Sequence, residues 1–369
     1  MDQGHSADAG TSAAPGSQAS PRVTIASIAA QAGVSVATVS KVLNGRDEVA
    51  SATRERVQQL LDDAAYQRRG RTAAKRVGLV DVVIPTLDTP WAFEVLRGAE
   101  KEANRLGTSL ILTVTHDQHD QPREWIKTLA ARRTDGAVFV VSRVHQQVVK
   151  RLRTLSVPLV VVDQVGRSSA DAPSIGCTNW AGGFSATEHL IDLGHRQIAV
   201  IGGPAEMMCS QERIAGYEAA MSRAQIPVSR NMIRHGDFYV GGGRKAAAAL
   251  LGLREPPTAI FAGSDEQARG VYDEAHARGL RIPQDLSVVG FDDVEVCEWM
   301  SPRLTTVRQP LDQMAALAIR TVLQNPPSGD TPTRIELATT LVVRDSTAPP
   351  GATADAVAAG PVRDSATDA

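Results

Sequence analysis

Cysteine, aromatic residues and long apolar runs are all scarce in this sequence, and each shortage excludes a class of protein. The three cysteines, Cys177, Cys209 and Cys297, are far apart and share no metal-ligand spacing, so neither a disulfide framework nor a zinc site is expected. No apolar run approaches the ~18 residues that a membrane-spanning helix needs. The first twenty residues contain no hydrophobic signal-peptide core. The sequence therefore predicts an intracellular, cytoplasmic protein without membrane contact.

What the sequence does contain is a globular composition with its charge unevenly placed. The 369 residues are 43% hydrophobic and 22% charged, which suits about two to three domains. Residues 22–76 hold ten basic and five acidic side chains, a net charge of +5, whereas the remainder of the chain carries −7. A basic first segment on an acidic body is typical of a nucleic-acid-binding domain. Residues 1–21 and 346–369, rich in small and polar residues, are predicted to be disordered tails.

Residues 22–67 carry a purely helical pattern. Apolar positions repeat at the spacing of one helix face, first in a helix that Thr24 would cap and again in a third helix that starts at Ser51. Gly33 can adopt the positive φ that ends the first helix, and Ser35 can cap a second helix over 36–43. The spacing predicts a small all-α helix-turn-helix headpiece whose second helix fits a DNA major groove about 12 Å wide.

From residue 77 the pattern changes to strands that alternate with amphipathic helices. Continuous Val- and Ile-rich strands separated by helices indicate parallel sheets covered on both faces. Two such sets predict an α/β core over 77–345 with two doubly wound lobes: the first over about 77–177 and 308–325, the second over about 178–307 and 326–345. Ligands of such sheets bind at the carboxyl ends of the strands, so the cleft between the lobes is the expected ligand site.

Four stretches of the chain resemble one known family. They are VTIASIAAQAGVSVATVSKVLNGRDEVASATRERVQQLLDDAAY, ATEHLIDLGHRQIAVIGGP, ERIAGYEAA and SVVGFDDVEVCEWMSPRLTTVRQP. The first is similar to the headpiece of LacI/GalR regulators. The others are similar to the core of that family, which resembles periplasmic sugar-binding proteins. The resemblance covers about residues 22–345.

This resemblance implies a function as well as a fold. Such a protein is a sequence-specific DNA-binding repressor, not an enzyme, and acts as a homodimer on a near-palindromic duplex operator. A mono- or oligosaccharide bound between the core lobes would release it from the operators of carbohydrate-use genes. A purine- or other small-molecule-responsive co-repressor type is the alternative, and a solute-binding protein without a regulatory role is a further one.

The resemblance also assigns DNA contacts by position. Val36, Ala37 and Lys41 match the positions that read bases, because a lysine can donate to guanine and small apolar side chains can contact a thymine methyl group. The remaining contacts, mostly to phosphates that fix the register of the protein on DNA, fall on Thr24, Ser35, Thr38, Ser40, Asn44, Arg54 and Arg56.

The hinge over 68–76 departs from the family pattern. Relatives usually continue with Pro-Asn and then Ala-Arg-x-Leu, whose leucine enters the minor groove. Here no Pro-Asn occurs, and Lys75 stands where the leucine is expected, so that mechanism does not transfer. We expect Arg68, Arg69 and Arg71 to contact phosphates or a narrow minor groove by charge. A solvated flexible linker is the alternative.

Six effector contacts are implied at loops that follow predicted strands. Trp91 and Phe238 supply aromatic faces for a sugar ring, and Arg213 supplies a fork suited to adjacent hydroxyl groups, with Asp292 as its acidic partner. Residues 264 and 265 match further positions of the cleft. The last two, Ser264 and Asp265, equally fit a helix N-cap followed by a first-turn acid.

Other motifs carry less weight. Glycines 241–243, followed by Arg-Lys-Ala, formally match a dinucleotide-binding pattern, but only a short polar strand precedes them, so a turn into a helix is the better interpretation. Residues 116–120 hold metal-binding side-chain types without the supporting ligands of a closed site. Neither a nucleophile elbow nor a P-loop motif occurs in the sequence, so we expect no metal and no cofactor. Trp180, Tyr239 and Trp299 are weaker candidates for effector contact, and core packing is the role that we expect of each.

Replacing Arg68, Arg69 and Arg71 with alanine is expected to flatten the dependence of operator affinity on salt. Each phosphate contact that is lost removes about 0.9 from the slope of log K against log salt, because fewer counterions are released. Operator titrations of the triple variant and the parent protein at several salt concentrations measure this slope. An unchanged slope would favour the flexible-linker alternative.

Overall fold

The computed structural model describes residues 25–43, 49–63, 77–116, 128–129, 131–140, 146–163, 172–324 and 334–351. The chain divides into two compact units, Met1–Lys75 and Arg76–Ala369. The predicted hinge and most of both predicted tails lie outside the described residues. So do five of the predicted DNA contacts: Thr24, Asn44, Arg68, Arg69 and Arg71.

Three helices make up the described part of the first unit: α1 (Ile25–Ala32), α2 (Val36–Leu43) and α3 (Ser51–Asp63). The turn between α1 and α2 contains Gly33 at a φ of +66°, which a side chain beyond Cα would disfavour. The amides of Gly33 and Val34 donate to carbonyl oxygens in the last turn of α1 and end that helix. The helices enclose one small apolar core: Ile28, Ala29, Ala32, Val39, Val42, Val57 and Leu61. The predicted helix-turn-helix is confirmed.

The second unit contains two sheets. In the first sheet every described strand runs parallel, in the spatial order β11-β5-β4-β3-β1-β2. These strands are β1 (Leu79–Ile84), β2 (Ser109–Val114), β3 (Gly136–Val140), β4 (Leu159–Val162), β5 (Ser174–Cys177) and β11 (Arg334–Leu337). Helices cover both faces: α4 (Pro90–Arg105), α5 (Gln146–Thr154) and α11 (Leu311–Leu323).

The second sheet has the spatial order β12-β10-β9-β8-β6-β7, and only β12 runs antiparallel to its neighbour among the described strands. Its strands are β6 (Ile198–Gly202), β7 (Ile233–His235), β8 (Ala259–Ala262), β9 (Ser287–Asp292), β10 (Thr305–Arg308) and β12 (Thr340–Val342). Its helices are α6 (Asn179–Asp192), α7 (Met208–Arg223), α8 (Val240–Leu251), α9 (Asp265–Ala277) and the short α10 (Val296–Trp299). The predicted fold class, a headpiece and two doubly wound lobes, is confirmed.

Within the described ranges the chain crosses between the lobes three times, at 178, at 309–310 and at 338–339. The crossings are bonded to one another, since the Thr178 amide donates to the Leu337 carbonyl oxygen at 3.0 Å and the two hydroxyls of Thr178 and Thr339 lie 3.0 Å apart. The third crossing differs from the sequence prediction, which placed all of 326–345 in the second lobe. β11 instead pairs with β5 of the first lobe. It is a short, largely exposed edge strand, so no buried apolar run marked its place.

Residues 346–351 are ordered, although the sequence predicted a disordered tail from 346. Ser346 is fully buried, and its hydroxyl donates to the Val288 carbonyl oxygen at 2.6 Å. The carbonyl oxygen of Ala348 lies 2.9 Å from Nε2 of the buried His195. Burial lowers the pKa of His195. Backbone and side-chain hydrogen bonds, not apolar contacts, hold this segment, which is why hydrophobic patterning missed it.

No helix in the described ranges is both long and apolar enough to cross a membrane.

The glycines of the weak dinucleotide motif provide a test of helix packing. They lie in the first turn of α8. A Cβ added to Gly243 would overlap the backbone of Gln267 on α9, whereas one added to Gly241 meets nothing within 4 Å. We expect Gly243→Ala to lower the free energy of unfolding by about 1–3 kcal/mol through overpacking. Gly241→Ala, the matched control, is expected to be neutral or to stabilise by up to about 1 kcal/mol. Denaturant titration measures both, and equal effects would contradict the close helix contact.

Candidate functional site

The first candidate surface is the exposed face of α2. Ser35 begins this helix as its N-cap, because its hydroxyl accepts from the Thr38 amide at 3.1 Å and lies 2.9 Å from the Thr38 hydroxyl. Val39 and Val42 are buried against α1 and α3. Packing of this apolar face fixes which side of α2 faces solvent.

The three predicted base-reading residues all lie on that solvent face. Val36 is 51% exposed, an unusual position for a valine, and Ala37 and Lys41 are also exposed. Among the predicted phosphate contacts, Ser35 and Arg56 are exposed, while Thr38, Ser40 and Arg54 are half-buried. An exposed strip of small side chains with one lysine fits the edges of bases in a major groove.

The second candidate site lies where the carboxyl ends of the two sheets meet. Its centre is Arg213 on α7, which is only 3% exposed. Its Nε donates to the side-chain oxygen of Asn179 at 2.9 Å, and its Nη1 donates to the Gly263 carbonyl oxygen at 2.5 Å. The guanidinium lies 3.7 Å from the ring centroid of Phe291 and 5.6 Å from that of Phe238. A buried cation is thus held by a crossing residue, a strand end and two aromatic rings.

Two buried carboxylates accompany this cation, one from each lobe. Asp292, at the end of β9, has Oδ1 3.9 Å from Nη1 of Arg213, and the same oxygen accepts a 2.5 Å hydrogen bond from the side-chain Nε2 of Gln309. Burial raises the pKa of Asp292 well above its ordinary value, and Arg213 opposes this shift. Asp163 follows β4 of the first lobe, and burial likewise raises its pKa against the influence of Arg213. Burial therefore disfavours the charged form of both carboxyl groups, and the guanidinium of Arg213 opposes that effect.

Sequence reasoning missed Asp163. The available signal was a polar residue directly after the buried run Leu159–Val162, at the strand end where ligands bind. Its backbone φ of +52° also sets it apart, since non-glycine residues rarely adopt that conformation. Asn179, at the first crossing, was also missed as a functional residue, because nothing local distinguishes it from a helix-starting asparagine.

Asp292 and its neighbour Asp293 turn to different partners. Both have positive φ, +124° and +61°. The carboxylate of Asp293 accepts from Arg308 at 2.6 Å and from Arg344 at 2.7 Å, outside the cluster around Arg213. These ion pairs hold the strained end of β9 so that Asp292 faces the cleft.

Ser264 and Asp265 occupy structural positions. Ser264 caps α9 by accepting from the Gln267 amide at 3.1 Å, and its hydroxyl donates to the Phe238 carbonyl oxygen at 2.8 Å. Asp265 is fully buried and accepts from the Val294 amide at 3.0 Å and the Thr306 hydroxyl at 2.5 Å. Burial raises the pKa of Asp265 to about 6. The geometry favours the structural alternatives over effector contact: Ser264 is the N-cap of α9, and Asp265 is an acid of its first turn.

The aromatic residues separate into two groups. Trp91, in the first turn of α4, and Phe238, at a φ of +71°, are half-buried. The expectation that Trp180, Tyr239 and Trp299 pack in the core is wrong, since all three are exposed and Trp299 is 71% exposed. Trp180 instead stacks on Phe184, one helical turn away. The small number of aromatic residues in this chain therefore does not predict that each of them is buried.

The side chains of the cleft are those of a site that binds a polar molecule. No group of three or more His, Cys, Asp or Glu side chains in the described ranges could hold a metal ion. A cationic fork, two carboxyl groups that can donate or accept, and a half-buried aromatic face instead match a polar organic molecule with hydroxyl or amide groups.

Removing the central cation should be costly in a pH-dependent way. Arg213→Met leaves Asp292 and Asp163 buried without their cation, so we expect the free energy of unfolding to fall by about 3–5 kcal/mol at pH 7.5. The pKa of both acids is raised in the folded state. The folded state therefore loses stability as the pH rises above the pKa that these acids have in the unfolded chain. The deficit of the variant should therefore shrink at pH 5.

Adding Asp292→Asn to Arg213→Met should recover part of the lost stability and weaken its pH dependence. The matched control is the surface pair Arg269→Met and Asp273→Asn, whose 3.0 Å ion pair is largely exposed and is expected to contribute less than about 1 kcal/mol. Urea titrations at both pH values measure these differences. If Arg213→Met lowered the free energy of unfolding no more than Arg269→Met does, the hypothesis that Arg213 organises the cleft would be wrong.

Comparison with known proteins agrees with both halves of the chain. Residues 24–69 match the family described as bacterial regulatory proteins, lacI family, and residues 187–347 match the periplasmic binding protein-like domain. The HTH-type transcriptional repressor PurR of Vibrio atlanticus is 34% identical over 305 residues, which covers 82% of this chain and 91% of the relative.

Two solved structures are similar over most of the chain. A transcriptional regulator CelR-cellobiose complex has a TM-score of 0.65 at 29% identity and covers 88% of this chain and 100% of its own. The lac repressor dimer bound to operator and the anti-inducer ONPF has a TM-score of 0.65 at 27% identity, and the match covers 89% of this chain and 100% of the repressor chain. With its helix-turn-helix headpiece and two-lobed core, the chain belongs to the lacI family of DNA-binding transcriptional regulators.

Proposed function

We propose that this regulator is a repressor whose affinity for its operator is set by a small molecule bound between the core lobes. The observation that carries the proposal is the buried Arg213, which bonds to Asn179 at the first crossing and pairs with Asp292 of the second lobe. Its charge also lowers the pKa of the buried Asp163 of the first lobe, against the effect of burial. A ligand that bonds to both lobes binds the closed cleft more tightly than the open one. That difference in affinity is what shifts the conformational equilibrium, typically with ~1–3 kcal/mol of coupling.

A mono- or oligosaccharide is the ligand class that suits the cleft best. Sugars present hydroxyl groups in adjacent pairs to charged forks and carboxylates, and an apolar ring face to aromatic side chains. Arg213, Asp292 and Asp163 supply the first set, and Phe238 supplies the second. The similarity to a regulator solved with cellobiose supports this class. Release of the operator on sugar binding is the proposed response, and carbohydrate-use genes in the bacterial cytoplasm are the proposed targets.

A purine-responsive co-repressor is the second candidate. The relative PurR supports it, and the half-buried rings of Trp91 and Phe238 would equally stack on a heterocycle. The two candidates predict opposite changes in operator affinity when the ligand binds, since a co-repressor strengthens operator binding and an inducer weakens it. A titration of operator binding with each ligand class separates them.

The active species is proposed to be a homodimer on a near-palindromic operator. β2 is an edge strand of the first sheet, and Leu112 on it and Phe93 on α4 are exposed apolar side chains. Trp299 presents a third exposed apolar surface on the second lobe. Large exposed apolar groups mark interaction surfaces, and a lac repressor similar to this chain is a dimer on its operator. Two-fold protein symmetry requires two half-sites.

Two variants test whether the headpiece binds the operator and the cleft binds the ligand. Lys41→Ala is expected to lower operator affinity about 10- to 100-fold by removing one base contact, while ligand binding is unchanged. Asp292→Asn is expected to lower ligand affinity at least about tenfold, while operator affinity without ligand is unchanged. Exposed Lys245 and half-buried Asp273 provide the matched controls, Lys245→Ala and Asp273→Asn.

The operator is obtained by selecting genomic fragments with the full-length protein, and the ligand by mass spectrometry of what co-purifies with it. Fluorescence anisotropy then gives operator affinity, and calorimetry gives ligand affinity. Failure to prefer any fragment at moderate salt would overturn the DNA-binding half of the proposal. Loss of both activities in both variants would show that the two sites cannot be separated in this way.

A further inference from the structure

Six arginines gather at the edge of the first sheet where its strands begin. Arg105 ends α4 just before β2, and Arg320 lies in the last turn of α11 beside Glu102. The others precede β3 and β4 along the chain. We call this set the basic rim: Arg105, Arg132, Arg133, Arg151, Arg153 and Arg320.

The acids beside these arginines are less exposed than the guanidinium groups. Glu102 pairs with Arg105 and Arg320, and Asp81 pairs with Arg132. Glu102 and Asp81 are buried. The carboxylate of Asp135 accepts hydrogen bonds from three backbone amides, those of Val77 at 3.1 Å, Gly78 at 2.7 Å and Leu79 at 3.4 Å. By contrast, the side chains of Arg105 and Arg320 are 59% and 40% exposed. The surface that this edge presents to solvent is therefore positive, although the buried acids offset part of the charge of the arginines.

The rim surrounds the point where the chain enters the core. Val77 is the first described residue of the second unit, and β1 lies between β3 and β2 in the sheet. Neighbouring strands are about 4.8 Å apart, so Arg132 and Arg133 flank one side of this point and Arg105 the other. Fourteen residue steps separate Val77 from Asp63, the end of α3. A chain of that length spans at most about 50 Å, which bounds the distance between Asp63 and Val77.

The complementation of helix dipoles does not explain the rim by itself. Arginines in the last turn of a helix favourably face its negative end, and several rim residues hold such positions. However, α3 and α8 have no basic residue in the last turn, so this fold does not require one. The same edge of the second sheet is mixed in charge: Arg254 is followed by the exposed Glu255, and Arg281 bonds to Asp285 at 2.7 Å.

We propose that the basic rim is a second DNA-contacting surface, which binds phosphates of the duplex beside the sequence that the headpiece reads. The inference rests on the DNA-binding function of the family. Guanidinium groups bind phosphate oxygens in a fork geometry and carry no base information. Screening at physiological salt reduces charge interactions beyond about 8 Å, so the rim acts by contact and not at a distance. It adds affinity that depends on the length of flanking duplex.

The test uses the full-length protein and two duplexes that contain the same operator, selected from a random-sequence pool. The short duplex ends at the protected sequence, and the long one adds about 15 base pairs on each side, matching the ~50 Å reach at 3.4 Å per base pair. The rim variant is Arg133→Gln/Arg151→Gln/Arg153→Gln. The matched control is Arg230→Gln/Arg254→Gln/Arg269→Gln, which removes three arginines from the second lobe.

The parent protein and the control are expected to bind the long duplex more tightly, with a steeper dependence on salt. The rim variant is expected to bind the short duplex as the parent does and to gain nothing from the flanks. Three lost phosphate contacts reduce the slope of log K against log salt by about 2.7. A twofold rise in salt then costs the parent about sixfold more affinity for the long duplex than it costs the variant.

Other outcomes overturn the proposal. A rim variant that keeps the parent's dependence on length and salt shows that the arginines do not touch DNA. Equal loss on both duplexes, with a lowered melting temperature, shows that they act through the fold. If selection yields no preferred sequence, the proposed function fails, but arbitrary duplexes of the two lengths at low salt still test the rim, since phosphate contacts need no particular sequence.

Discussion

The guanidinium of Arg213 is only 3% exposed, and its hydrogen-bond and ion-pair partners come from separate parts of the core. Asn179 lies at the first crossing between lobes, Gly263 follows β8, and Asp292 ends β9. The cost of leaving any buried charge unpaired is several kcal/mol. This one side chain therefore fixes the geometry of the strand ends, and the position of the proposed ligand follows from it.

Other contacts of the second lobe hold a strained backbone around the cleft. Phe238, Asp163, Asp292 and Asp293 all have positive φ without being glycine. Such conformations persist only where surrounding contacts determine them. Here Asp293 is held by two arginines, and the carbonyl oxygen of Phe238 by the hydroxyl of Ser264. Contacts in the second lobe thus pre-organise the loops that a ligand would meet, and the crossings link that order to the first lobe.

Much of the architecture was readable because its signals are local. The helix periodicity of the headpiece, Gly33 and Ser35 predicted its helices, and Val- and Ile-rich runs predicted most strands of both lobes. The exceptions share one property. β11 is an exposed edge strand, and the segment from Ser346 is held by hydrogen bonds to β9 and His195. Neither leaves an apolar pattern in the sequence, because partners more than fifty residues away create the structure.

Local features of the sequence, namely helix caps and the positions after buried strands, predicted the residue types of the cleft and the exposed face of α2. The tertiary structure, by contrast, sets which carboxyl groups lie near enough for the charge of Arg213 to act on them. It selected Asp163 from the first lobe and directed Asp265 into the second lobe, towards Val294 and Thr306. The physical reason is that burial and pairing of charge depend on where distant strands end relative to one another. Local propensity contains no information about that distance.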